Sequence, residues 1–420
     1  MPALSDRAKH VVLIVLLVAV LGATVFTIYR IFFWKETSKE SVSDSEKAKQ
    51  SGSLQRSGDA IADGTSDDAP VGTLPYQEGV PLALPEDLST SSPRAETSVI
   101  VSTPSTFFSS SPSSQKNTYR FYNAQDGKFY RIDENGDVVP LSDQAFYGVK
   151  EVSWGNADDR AILEFPDGSN ILFSFKDSRQ ITLPKHWEDF EFSQDDGKIV
   201  AKSVGNNESN RFLVVANPDG SDAEAVQELG DNADKVHTTW SPNQQVVAYS
   251  FTGDPIGADR EQVILVGKNQ ENLPGLITEG RGFSPNWSPN GGSLAYSVYT
   301  SSNGYLPELW ITSGNGDTIN KNRRRVELNT WVEKCTWRNE TTMYCAVPEY
   351  LEPGAALQPT VAQRGNDRLF RIDVTSGRKT NLGFVGGVSD ITNLRVNTEG
   401  TVATFVDGAN GRVLRHTLSP

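Results

Sequence analysis

Trp287-Ser-Pro-Asn-Gly-Gly-Ser-Leu-Ala-Tyr-Ser297 has a near copy 47 residues earlier, Trp240-Ser-Pro-Asn-Gln-Gln-Val-Val-Ala-Tyr-Ser250. Each reads as strand, tight turn, strand. Proline at the second position of Ser-Pro-Asn presets φ for a type I turn, and the serine ahead of it can accept a hydrogen bond. After the turn, Leu294, Tyr296 and Val298 alternate with Ser293, Ala295 and Ser297, the period of two that marks a strand with two unlike faces. A unit recurring at this spacing is the mark of a propeller blade.

Weaker copies start at the anchors Trp154, Phe192, Trp337 and Val396, so the anchor-to-anchor steps along the chain are 38, 48, 47, 50 and 59 residues. A constant hairpin with a variable remainder places the variation in loops. The motif resembles the TolB-type WD40-like repeat, usually written with Asp-Gly after the proline, over residues 118 to 420. That resemblance implies an all-β fold, a β-propeller of four-stranded blades. It does not imply a function, because propellers carry binding proteins and enzymes alike.

Within a blade the Trp-Ser-Pro-Asn unit supplies the innermost strand A, the A-B turn and strand B. Strands C follow at Ile171 to Phe175, Phe212 to Ala216, Gln262 to Val266, Glu308 to Thr312 and Arg368 to Val374. Six A-B units are visible, Tyr119 to Leu141 adds a B-C-D series, and the last unit lacks an obvious strand D. Six or seven blades fit this arithmetic, and counting B-C hairpins favours seven. The two ends of the repeat region are expected to meet and close the ring, which protects unpaired strand edges.

The N-terminal part is a different material. Val11 to Tyr29 is an almost unbroken apolar run, followed by Arg30 and Trp34, long enough for a helix across a hydrocarbon core of about 30 Å. Residues 1–10 read as a short tail and 11–34 as a transmembrane signal anchor; a cleaved signal peptide normally has a shorter apolar core and a small-residue cleavage site. Flanking charges do not set the orientation. The short N-terminus and large C-terminal part favour a propeller outside the cytoplasm, on a single-pass cell-membrane protein. Residues 35–117, rich in Ser, Thr and Pro, read as a disordered linker, since such a composition cannot bury enough apolar surface to offset its ordering entropy. Val99-Ile100-Val101 and Phe107-Phe108 are read as chance hydrophobicity within it.

The net charge of −14 argues against a nucleic-acid binder that neutralises phosphates. Arg323-Arg324-Arg325 reads as an edge-protecting cluster, with an anion grip as the other reading. Cys335 and Cys345 flank Glu340 symmetrically. If a hairpin turns there they are cross-strand neighbours able to form a disulfide; two small buried thiols are the alternative.

In a propeller the B-C and D-A connections share one rim, and the A-B and C-D turns share the other. The A-B turns here are short, whereas B-C connections such as Thr252 to Glu261, Tyr299 to Glu308 and Pro348 to Asn366 are long, and long loops on a rigid scaffold are where binding residues sit. The expected binding rim comprises His186, Trp187, Asp254, Asp259, Arg260, Arg281, Tyr299, Tyr305 and Tyr350. Tyr, Trp and Arg dominate interface hot spots.

Chemistry-bearing motifs are scarce. Gly291-Gly-Ser293-Leu-Ala295 lacks the last glycine of a nucleophile elbow and lies in the repeated hairpin. Ser193-Gln-Asp195-Asp-Gly197 resembles the start of a sialidase Asp-box but lacks its tryptophan and aligns with the structural turns. His186, His237 and His416 have no carboxylate or cysteine at metal-ligand spacing. Neither a cofactor nor a metal is expected. The sequence thus reads as a non-enzymatic, membrane-tethered scaffold for a protein or cell-envelope polymer, touching lipid through Val11 to Trp34. The rival is a propeller hydrolase or lyase acting on glycan or peptide, which requires carboxylates, Arg or His at the mouth of the central funnel.

Overall fold

The computed structural model describes residues 96–110, 119–133, 135–156, 160–359 and 366–418. Among them the strands form seven antiparallel sheets, arranged as a seven-bladed β-propeller. Strands A to D of blade 1 are Thr106–Ser110, Tyr119–Asn123, Lys128–Ile132 and Val138–Pro140; those of blade 2 are Glu151–Trp154, Arg160–Glu164, Asn170–Ser174 and Gln180–Leu183. Blade 3 comprises Trp187–Phe192, Ile199–Val204, Arg211–Ala216 and Glu224–Glu228. Blade 4 comprises Val236–Thr238, Val246–Ser250, Arg260–Gly267 and Leu276–Thr278, with Pro255–Ile256 as a short extra strand on C. In blade 5 the strands are Arg281–Trp287, Ser293–Tyr299, Glu308–Ser313 and Arg324–Arg325, and in blade 6 Cys335–Asn339, Thr342–Pro348, Asp367–Asp373 and Lys379–Phe384.

Blade 7 is built from both ends of the ring. Ile391–Val396, Val402–Asp407 and Val413–Thr417 supply A, B and C, and the outermost strand is Thr97–Val101, antiparallel to Val413–Thr417 with Thr97 opposite His416. This corrects the expected boundary. The ring begins at Thr97 rather than at 118, and two segments assigned to the linker are strands: Thr97–Val101 closes blade 7 and Thr106–Ser110 opens blade 1. Their apolar residues have a packing role. Val101 is buried with Tyr119, Phe121, Ile132 and Val413, and Ile100 and Phe108 pack against that cluster. The anchor at Val11 to Trp34 and the linker up to residue 95 lie outside the described residues; among those described, no helix is long and apolar enough to cross a membrane.

The core is divided among the seven junctions between neighbouring blades. Ile162 and Leu172 of blade 2, for example, meet Phe190, Phe192, Ile199 and Ala201 of blade 3, and Tyr344, Ala346 and Leu369 of blade 6 meet Ile391, Leu394 and Phe405 of blade 7. Small residues on the strands B of blades 3 to 6, Ala201, Ala248, Ala295 and Ala346, are fully buried, letting the sheets approach closely.

The quoted motif works as a staple. Ser241 Oγ accepts hydrogen bonds from the amides of Gln245 and Val246, and Ser288 Oγ accepts one from Ser293. Gly291 takes a positive φ of 70° at the turn, which side chains resist. Three of the anchor tryptophans reach the preceding blade through their indoles: Trp287 Nε1 donates to Thr239 Oγ1 at 3.0 Å, Trp337 to Asn286 O at 3.2 Å and Trp154 to Phe107 O at 2.8 Å. Turns also touch one another, with Asn243 Nδ2 donating to Gly291 O and Ser288 Oγ to Glu340. Ser193-Gln-Asp195 is such a turn, Ser193 Oγ donating to Asp195 and accepting from the Lys198 amide.

Candidate functional site: the acidic channel mouth

Strands A line the central channel, so the residues that begin each strand A stand at its mouth on the B-C/D-A face. In blade 2 that residue is Glu151, directly opposite Glu164 at the end of strand B. Like charges so placed repel. Blade 3 contributes Glu188, Asp189 and Glu191, and Lys202 opposite Glu188. Lys202 Nζ lies 3.3 Å from Asp189 and 3.6 Å from Glu188. Blade 4 adds His237 opposite Tyr249, the two rings stacked at 5.2 Å with Phe251 edge-on to both. Across the mouth, Ser284 of blade 5 donates a hydrogen bond to Glu333 ahead of strand A of blade 6.

The electrostatics follow from crowding and burial. Glu164 is only 3% exposed. Burial first, and then the charge of Glu151, push its carboxyl up to about 7, against the opposing pull of Lys150 and of the Phe190 amide that it accepts from. Its Oε1 has no hydrogen-bond partner. Glu191 is also pushed up to about 7, by burial and secondarily by Asp189, although it accepts the Trp240 amide. Glu151 is raised by burial and by Asp189. His237 is lowered by burial, which outweighs the charge of Asp189. Burial together with Asp189, Glu333 and Glu191 drives the Tyr249 phenol up to about 12. Such displaced values gather where charged groups are held out of water and close together. Asp189 also has a positive φ of 59° while its carboxylate accepts the Thr238 amide of blade 4.

A second, buried charge cluster supports the same face between blades 6 and 7. Lys334 Nζ lies 2.7 Å from Asp367 and 2.6 Å from Asp390, with Lys334 and Asp367 each 1% exposed. Asp367 additionally accepts the Ile391 amide, yet burial still holds its carboxyl up to about 6. The triad ties the entrances to strands A of two blades to strand C of one.

The rim residues expected from sequence divide in two. Arg281 stands opposite Tyr299, whose ring contacts Tyr305 at 6.3 Å, and Gly282, with a φ of 72°, leaves the space that the Tyr299 ring occupies. Asp259 accepts hydrogen bonds from the amide and hydroxyl of Ser301, tying the B-C loops of blades 4 and 5 together. The B-C loop of blade 6 joins them through Gly354 N to Gly304 O and Ala356 N to Tyr305 O. Tyr350 at 70% exposure stands on this crowded loop cluster, and Asp254 and His186 are exposed on the same face. Arg260 instead pairs with Glu279, which Arg323 shares. Trp187 is not a rim residue: it is buried in the junction of blades 2 and 3, because as the first residue of strand A its side chain turns into the sheet interface. Arg323, Arg324 and Arg325 are each tied to a carboxylate or a carbonyl.

Sequence reasoning missed Glu151, Glu164, Glu188, Asp189, Glu191, Lys202, Tyr249 and Glu333. A positional signal was present: Glu151, Asp189, His237, Ser284, Lys334 and Asn393 all stand three residues before an anchor. Cys335 and Cys345 are direct cross-strand partners joined by a disulfide, Cα atoms 4.0 Å apart. Among the described residues, no group of three or more His, Cys, Asp or Glu is placed to hold a metal ion.

No known protein-family model matches the chain, and no curated protein sequence matches it. Solved structures do resemble it. The β-propeller domain of Myceliophteria thermophila Cps50 (Swd1) aligns with a TM-score of 0.50 at 11% identity, covering 77% of this chain and 100% of that one. An oligogalacturonate lyase in complex with manganese aligns at 0.49 and 13%, covering 78% and 91%. Tricorn protease aligns at 0.48 and 10%, covering 80% of this chain, which spans only 36% of that protease. These likenesses concern the propeller fold alone.

Proposed function

We propose that the chain is a membrane-tethered, extracytoplasmic propeller acting as a non-catalytic binding module. It docks a protein or cell-envelope polymer on its B-C/D-A face and receives the partner's cationic groups at the acidic mouth. The observation that carries this reading is convergence: Glu151, Glu164, Glu188 and Asp189 crowd the mouth, with Glu191 further along the same strand A and the interlocked loops carrying Asp259, Tyr299, Tyr305 and Tyr350 on the same face. A guanidinium or ammonium entering there would give the unpartnered oxygen of Glu164 a donor and relieve the repulsion between Glu151 and Glu164. The apolar run Val11 to Trp34 supports the tether to a lipid bilayer, and the disulfide suits an oxidising compartment.

Calorimetric titration of the full chain with a tri-arginine peptide tests this reading. Saturable binding at pH 8 that weakens at least tenfold in Glu151→Gln/Asp189→Asn is expected. Equal binding by that variant and the parent would remove the mouth from the account. A second reading, a hydrolase or lyase working in the funnel, is favoured by the two carboxyls at about 7, values suited to proton transfer near neutrality. Turnover of a glycan or peptide, detected by mass spectrometry and lost in Glu164→Gln, would put that reading in place of the first.

A further inference from the structure

We propose that the opposite face of blade 6 carries a site for a tetrahedral oxyanion of the phosphate or sulfate type, independent of the acidic mouth. A pocket of about 270 Å³ is lined there by Arg338, Thr342, Arg371, Asp373, Arg378 and Thr380. The placement follows from strand register. Arg371 on strand C stands opposite Thr380 on strand D, and Asp373, two residues along on the same side of strand C, stands opposite Thr342 on strand B. Arg378 comes from the C-D turn and Arg338 from the end of strand A.

Three guanidiniums against one carboxylate leave the lining at +2, in a chain whose net charge is −14. The carboxylate is already engaged: Asp373 accepts the Ser376 amide at 2.8 Å, and the Ser376 bonds hold its carboxyl below the usual range. Arg338 is aimed by its Nε, which donates to Thr398 O of blade 7 at 2.8 Å. Gly400 makes room for it, because a Cβ there would come within 2.9 Å of both Arg338 Nη1 and Tyr344 Oη. Among the described residues, Arg371 has no ion pair or side-chain hydrogen bond.

Guanidinium forks match the paired oxygens of phosphate and sulfate. The hydroxyls of Thr342 and Thr380 add donors for the remaining oxygens, and a partly enclosed pocket concentrates the positive field.

Calorimetric titration of the full chain with sodium phosphate, against sodium chloride at equal ionic strength, tests the proposal. Saturable phosphate binding is expected, at least tenfold weaker in Arg371→Gln and unchanged in Arg179→Gln, an exposed arginine on blade 2. Should Arg371→Gln fail to fold by circular dichroism, Thr380→Val takes its place, with binding at least threefold weaker expected. Phosphate heats indistinguishable from those of chloride, or full affinity in the folded variant, would overturn the site.

Discussion

The two faces of the ring are built on opposite rules. On the turn face, repeated and mostly neutral hydrogen bonds pin each turn and join neighbouring blades: turn amides to serine hydroxyls within a blade, and indoles to the preceding blade and Asn243 to Gly291 between blades. The loop face repeats almost nothing. It holds a buried ion triad, facing glutamates and a lysine between two acids. The repeat stabilises the ring, and the unrepeated face has diverged toward charge; a surface that held the fold together by itself would not tolerate Glu151 opposite Glu164.

The largest effect expected from this contrast is at Lys334. Lys334→Met leaves Asp367 and Asp390 buried without their cation and should cost about 3–5 kcal/mol in chemical denaturation. A loss below about 1 kcal/mol would show that the loop face does not depend on the triad.

Next comes a pH effect on the same face. The folded value of Glu164, about 7, lies above its ordinary 4.5. Its contribution to stability is therefore fully present below pH 4.5 and is lost as the pH rises through 7. Glu164→Gln should accordingly be more stable than the parent at pH 8 by about 2–3 kcal/mol, with little difference at pH 4. A variant equally destabilised at both would mean that Glu164 is held for packing.

The turn face should respond more weakly and without pH dependence. Ser241→Ala removes the acceptor for two turn amides and should cost about 1–2 kcal/mol. Trp287→Phe keeps most of the ring's apolar contact, loses the bond to Thr239 and should cost about 0.5–1.5 kcal/mol. Either effect changing by more than half between pH 5 and pH 8 would blur the distinction between the faces.

The same contrast explains what could be read from the sequence. The A-B hairpin is legible because one turn solution recurs, with Trp240 and Trp287 marking strands A and the strands C lying within two residues of expectation. Thr97–Val101 and Thr106–Ser110 escaped because they carry no anchor and sit in a Ser/Thr/Pro-rich background; their β-structure depends on Val413–Thr417 and Tyr119–Asn123, distant partners that complete their sheets. The acidic mouth escaped for another reason. Glu151, Asp189 and His237 share a position three before an anchor but not a residue type, so their convergence belongs to the ring and appears in no single repeat.

Site-resolved carbon NMR titration of the Glu164 carboxyl, with and without tri-arginine peptide, reads the charge state of the mouth itself. A midpoint near 7 is expected for the protein alone, with a clear fall when the peptide binds. A midpoint near the ordinary 4.5, unmoved by the peptide, would contradict this expectation.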